Sequence, residues 1–91
     1  MKKILVVDNS EAMRQTICNI LQSYGYEPRT AVDGLSALEV LDTFSPDLIF
    51  IDWVMPNISG DKLCRIIRQD PEFKDIYLVI LSAMVKEQSF E

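Results

Sequence analysis

The sequence contains no histidine. That excludes imidazole metal sites, histidine general bases and nucleophile triads built on a histidine. Cysteine is sparse: Cys18 and Cys64 stand alone in helix-like segments, without CxxC spacing. They read as reduced, buried thiols of a cytosolic protein, and they supply no disulfide or zinc framework. Glycine is scarce too, and no glycine-rich turn follows the first apolar run, so a dinucleotide-binding fingerprint is missing. No apolar run reaches the length of a membrane span. The opening MKKILVV has a basic start, but its apolar stretch is too short for a signal peptide and leads into acids. Positive charge is in deficit, with 9 Lys and Arg against 14 Asp and Glu for a net charge of -5. Lys2-Lys3 is the one basic cluster, which argues against direct nucleic-acid binding. The expectation is a cytoplasmic protein with no membrane contact.

What is present is an ordinary globular composition, 48% hydrophobic and 25% charged over 91 residues. It fits a single domain spanning 1–91. KILVV at 3–7 is the pattern of a buried parallel strand. DNSE then offers cap residues before a helical stripe at Met13, Ile17, Ile20, Leu21 and Tyr24, stopped by Gly25. EPRTAV at 27–32 is a weaker strand that Pro28 places at a sheet edge. Asp33-Gly34 opens a second helix with an apolar face of Ala37, Leu38, Leu41 and Phe44, ended by Ser45-Pro46. DLIFI is a third strand. Ser59 caps a third helix facing inward through Leu63, Ile66 and Ile67, closed by Asp70-Pro71. IYLVILSA at 76–83 is a fourth strand, and KEQSFE reads as the first turn of a further helix. Strict alternation of this kind predicts an α/β doubly wound parallel sheet of flavodoxin-like order 2-1-3-4, with helices on both faces.

In such sheets ligands bind beyond the carboxyl ends of the strands where the strand order reverses, here between the first and third strands. The first strand ends in Asp8-Asn9, the third in Asp52 and the fourth in Ser82. Carboxylates brought together repel unless a proton or cation intervenes. Hard oxygen donors without Cys or His favour Mg²⁺, which keeps several waters and takes one or two protein carboxylates. A metal held there leaves one Asp52 oxygen to act as a nucleophile on a phosphoryl group, with Ser82 donating a hydrogen bond to a phosphoryl oxygen.

The stretches KILVVDNSEAMR, SPDLIFIDWVMPNISG and LVILSA resemble, in order and spacing, the receiver domain of two-component response regulators. The resemblance covers the whole chain, and DWVMPNISG is its most specific part. It implies that Asp52 is the phosphoacceptor, taking a phosphoryl group from a sensor histidine kinase or phosphotransfer protein. It implies that Asp8, Asn9, Asp52 and the Val54 carbonyl hold Mg²⁺, that Ser82 is the switch hydroxyl, and that small Ala83 leaves the site accessible. The module would signal rather than turn over substrate, assisting its own phosphoryl transfer and hydrolysis.

Two departures bear on that expectation. Asn9 stands where the family usually has a second acid, which predicts weaker Mg²⁺ binding. The family's fifth strand, with its phosphoryl-contacting Lys, and its fifth helix have no counterpart; Lys86 is the nearest basic residue. The reading is therefore of a C-terminally truncated receiver whose fourth strand is an apolar edge, and a homodimer would cover it. The alternative is a phosphorylation-incompetent interaction or dimerisation module. A phosphatase using Asp52 in turnover is disfavoured, because the position two residues on is Val54 rather than an acid.

Overall fold

The computed structural model describes residues 2–81. Its elements run β1 (Lys3–Val7), α1 (Glu11–Ser23), β2 (Glu27–Ala31), α2 (Gly34–Leu41), β3 (Leu48–Asp52), α3 (Gly60–Gln69), a 3₁₀ turn (Pro71–Phe73) and β4 (Tyr77–Leu81). The strands pair in parallel in the order β2-β1-β3-β4, as the alternation of strand and helix predicts. β2, with Pro28, lies at an edge.

Because successive side chains of a strand point to opposite faces, the two central strands build two cores. Leu5 and Val7 of β1 and Ile49 and Ile51 of β3 pack with Ala37 and Leu41 of α2 and Leu63 and Ile67 of α3. Ile4 and Val6 face the other way and meet Leu21 of α1, flanked by Ile17, Cys18, Leu48 and Phe50. This places α1 on one face and α2 and α3 on the other, the doubly wound arrangement. Burying side chains such as Leu5 and Ile49, both at 0% exposure, stabilises by about 1.5–3 kcal/mol each.

Helix ends follow local chemistry. Ser10 caps α1, its hydroxyl oxygen accepting the Met13 N–H at 3.2 Å. Gly25, at φ 85°, ends the same helix in the left-handed conformation. There Tyr26 N–H donates to Leu21 O and Gly25 N–H to Gln22 O, the paired bonds of a Schellman motif. Asp33 caps α2 in a capping box with Ser36.

Four local expectations need correction. The second strand stops at Ala31, and Val32 is exposed in the turn, where its N–H donates to the Ser36 hydroxyl oxygen. The fourth begins at Tyr77, because Ile76 still belongs to the turn, buried and donating its N–H to Phe73 O. Ser59 is the N-cap of α3, but its hydroxyl donates to Asp61 Oδ1 at 2.6 Å instead of capping the main chain. The inward row of α1 is Ile17, Cys18 and Leu21, while Met13, Ile20 and Tyr24 are exposed. Arg14 shares that inward row through its i, i+4 and i, i+7 spacing to Cys18 and Leu21, and of the expected stripe Ile17 and Leu21 do face inward. The reason Arg14 points in lies at the end of β1.

Candidate functional site at the carboxyl ends of β1 and β3

β1 and β3 are neighbours, with Val7 opposite Ile51, so Asp8 and Asp52 occupy equivalent positions at adjacent strand ends. This is also where the strand order reverses. Asp8 is buried at 7% exposure, the one buried charged residue among those described. A buried carboxylate is costly unless its polar groups are engaged. Three of those on Asp8 are. Its N–H donates to Ala31 O at 3.1 Å, which ties the end of β1 to β2. Its Oδ1 accepts the Ser10 N–H at 2.9 Å, closing a turn that leads into α1. Its carbonyl accepts from Arg14 Nη1 at 2.7 Å.

Asn9 follows on the exposed side of that turn, and Asp52 is half-buried as the last residue of β3. After Asp52 the chain turns sharply. Trp53 N–H donates to Leu81 O at 2.9 Å, so the end of β4 is tied to the same rim. Val54 is exposed, and Met55 then drops into the core and anchors the loop. Ile58 N–H donates to Pro56 O at 2.8 Å across Asn57, whose φ of 70° is that of the positive-φ form of a tight three-residue turn. Asparagine tolerates that conformation better than most side chains.

The loop returns to the strand end at Gly60, whose N–H donates to Trp53 O at 3.0 Å. A Cβ on Gly60 would stand 2.5 Å from Asp52 O and 2.9 Å from Trp53 Cα, so only glycine permits α3 to start against the Asp52 main chain. The sequence WVMPNISG therefore holds Asp52 from behind. That explains a carboxylate where the apolar run stops.

Of the expected site residues, Asp8, Asn9 and Asp52 are brought to one end of two adjacent strands, and Val54 sits on the loop directly after Asp52. Ser82 lies outside the described residues, as do Ala83 and Lys86. No group of three or more His, Cys, Asp or Glu that could hold a metal occurs among the described residues. The candidate set is smaller in charge: two carboxylates, an amide oxygen and a main-chain carbonyl, all hard oxygen donors. That suits a cation which retains much of its water. Arg14 was not singled out from the sequence, and its signal was available: a basic residue on the same helical row as Cys18 and Leu21.

No helix among the described residues is long and apolar enough to cross a membrane. Comparison with known proteins is consistent along the chain. The model of the response regulator receiver domain matches residues 4–91. The phosphate regulon transcriptional regulatory protein PhoB of Klebsiella pneumoniae is 33% identical over 87 residues, covering 96% of this chain and 38% of that protein. The chain thus spans under two fifths of that relative's length. Chemotaxis protein CheY-3 of Vibrio cholerae is 36% identical over 87 residues, 94% of this chain and 67% of that protein. Among solved structures, the response regulator TrrA of Thermotoga maritima, in complex with Mg²⁺-BeF, superposes with a TM-score of 0.85. It is 37% identical, and the match covers 98% of this chain and 76% of that one.

Proposed function

The chain belongs to the family of response regulator receiver domains, and on that premise we propose that it is a phosphoacceptor in a two-component phosphorelay. The observation that carries this reading is the meeting of Asp8, Asn9 and Asp52 at neighbouring ends of β1 and β3. Asp52 takes the phosphoryl group. One carboxylate oxygen attacks phosphorus, the bond from phosphorus to the donor's imidazole nitrogen breaks, and the electron pair leaves with the imidazole. The product is an acyl phosphate on Asp52.

Asp8, Asn9, Asp52 and the Val54 carbonyl are the residues that would hold Mg²⁺. When bound, the ion supplies positive charge for the phosphoryl oxygens and relieves repulsion between the carboxylates. Gly60 and the buried Met55 keep the Asp52 main chain in place while the exposed Val54 leaves that side of the loop open to a partner. Ser82 is proposed as the hydroxyl that bonds a phosphoryl oxygen. The domain then acts as a cytoplasmic signalling module, presenting a changed surface to a partner or an attached effector. Its donor is a sensor histidine kinase or phosphotransfer protein. A second copy pairing along the β4 edge, where Tyr77 and Ile80 are exposed, is proposed as a homodimer and is read by light scattering.

The test is intact mass after incubation with Mg²⁺ and a small phosphodonor, comparing the protein with Asp52→Asn. An adduct on the wild type alone is expected. A folded wild type that takes none would make the domain a receiver-shaped interaction module instead.

A further inference from the structure

We propose that Arg14 is a positioning residue for the metal-holding turn after β1. Its guanidinium fixes the Asp8–Asn9 peptide, and through it the directions in which Asp8 and Asn9 offer their oxygens. The inference rests on reading Asp8 and Asn9 as Mg²⁺ ligands. The geometry is a closed circuit. Ser10 N–H donates to Asp8 Oδ1 at 2.9 Å, and Arg14 N–H donates to Ser10 O at 3.0 Å. Arg14 Nη1 then returns to Asp8 O at 2.7 Å. The first turn of α1 is thereby clamped to the strand end at both the main chain and the side chain of Asp8.

The last bond decides the orientation. Val7 is the last β1 residue paired with β3, so beyond it the ladder no longer fixes the Asp8–Asn9 peptide plane. A charge-assisted bond to the carbonyl of that peptide does so. Without it the carbonyl must find another donor, and turning the plane swings the Asn9 side chain off its course. The arrangement also accounts for a basic side chain on the sheet-facing row of α1.

Charge alone predicts the opposite result. A guanidinium near a cation repels it, so its removal would tighten metal binding. The site opens to water at Asn9 and Val54, where screening weakens that repulsion, and positioning is the larger effect.

The experiment titrates the intact protein with MgCl₂ and follows the fluorescence of Trp53, the one tryptophan and the residue next to Asp52. Arg14→Met, Arg14→Lys and the control Arg65→Met are compared, with urea unfolding to establish that each is folded. Arg65 pairs with Asp61 on the exposed side of α3 and loses the same charge away from the turn. Arg14→Met is expected to weaken Mg²⁺ binding about tenfold, the usual scale for losing a partner that orients ligands. Arg14→Lys should keep the charge and recover to within about threefold of the wild type, short of full rescue because an ammonium lacks the planar fork. Arg65→Met should bind as the wild type does.

Arg14→Met binding Mg²⁺ as tightly as the wild type, or more tightly, overturns the proposal. If that variant does not fold, Arg14→Lys binding at least as tightly as the wild type overturns it, and so does a wild type that binds no Mg²⁺. The expected ranking in a protein that takes no phosphoryl group would sink the phosphoacceptor reading and leave the role of Arg14 standing.

Discussion

Both ends of the sheet are rich in acids, yet they use them differently. At the amino ends, Asp47 accepts the Lys3 N–H on Oδ2 at 2.9 Å, while its own N–H donates to Lys3 O and its carbonyl accepts from Tyr77. Asp47 thus ties β1, β3 and β4 together at their starts. Beside it, Arg68 reaches the carbonyls of Phe73, Lys74 and Ile76, fastening the turn that feeds β4. Ser45, Asp47, Glu72 and Asp75 line an open hollow of about 250 Å³ there. At the carboxyl ends, Asp8 and Asp52 stand on adjacent strands, and the surrounding groups hold their main chain from behind. Asp47, at the amino end, is a fastening. Asp8 and Asp52, at the carboxyl end, are what gets fastened.

The largest effect expected from this contrast comes from exchanging the two kinds of aspartate. Asp52→Asn should remove the phosphoryl adduct completely. Asp47→Ala should leave it intact and lower stability by about 1 kcal/mol, the scale of one exposed hydrogen bond. Equal loss of the adduct in both variants, measured by intact mass on folded protein, would erase the distinction between the ends.

Glycines sharpen it next. Gly60→Ala places a methyl 2.5 Å from Asp52 O, against main chain that cannot yield cheaply, and should cost about 3 kcal/mol in urea unfolding. Gly25→Ala, near the amino end of β2, meets nothing within 4 Å and should cost only about 1 kcal/mol, for its positive φ. If the two costs were equal, Gly60 would not be pressing on the strand end that carries Asp52.

How much of this was legible beforehand depends on whether the signal was local. The apolar runs KILVV and DLIFI, each closing in acids, located the strands and placed Asp8 and Asp52 at their ends. Parallel topology then brought them together. The orientation of α1 was legible in part: of the stripe Met13, Ile17, Ile20, Leu21 and Tyr24, Ile17 and Leu21 face inward and the other three are exposed. The spacing of Arg14 to Cys18 and Leu21 was open to reading, but the reason for it appears only at the Asp8 carbonyl. The role of Gly60 was equally hidden, since a glycine after Ser59 reads as an ordinary helix start until the Asp52 main chain is seen beside it. Hydrophobic period reports which face is apolar, and it is blind to the polar atoms that a particular contact must satisfy.

A smaller effect is expected at the turn proposed to hold the metal. Asn9→Asp adds a negative charge to a set that has only two carboxylates, and should tighten Mg²⁺ binding about three- to tenfold in the Trp53 titration, because ligand charge tunes such sites. An unchanged affinity would mean that the Asn9 position does not face the ion.

The smallest effect tests whether every acid at the carboxyl ends belongs to the site. Asp33 lies just beyond β2 but works as the cap of α2: its Oδ1 accepts the Ser36 N–H and the Ser36 hydroxyl, each at 2.9 Å. The main-chain bond from Ser36, followed by its hydroxyl, holds the Asp33 carboxyl below the usual range. A depressed folded value means that the carboxylate's contribution to stability is complete above the unfolded pKa of about 3.9 and is lost as pH falls through the folded value. Ser36→Ala removes the hydroxyl bond and keeps the N–H, so the Asp33 titration followed by NMR should move part of the way up toward the ordinary value. Asp61, held low first by the Ser59 hydroxyl and then by Arg65, should not move in that variant. Adding Mg²⁺ should move the amide resonances of Asp8 and Asn9 and leave the Asp33 titration where it was. If Mg²⁺ moved the Asp33 titration as well, the line between the capping carboxylate and those proposed to hold the metal would fall, and the site would extend across β2.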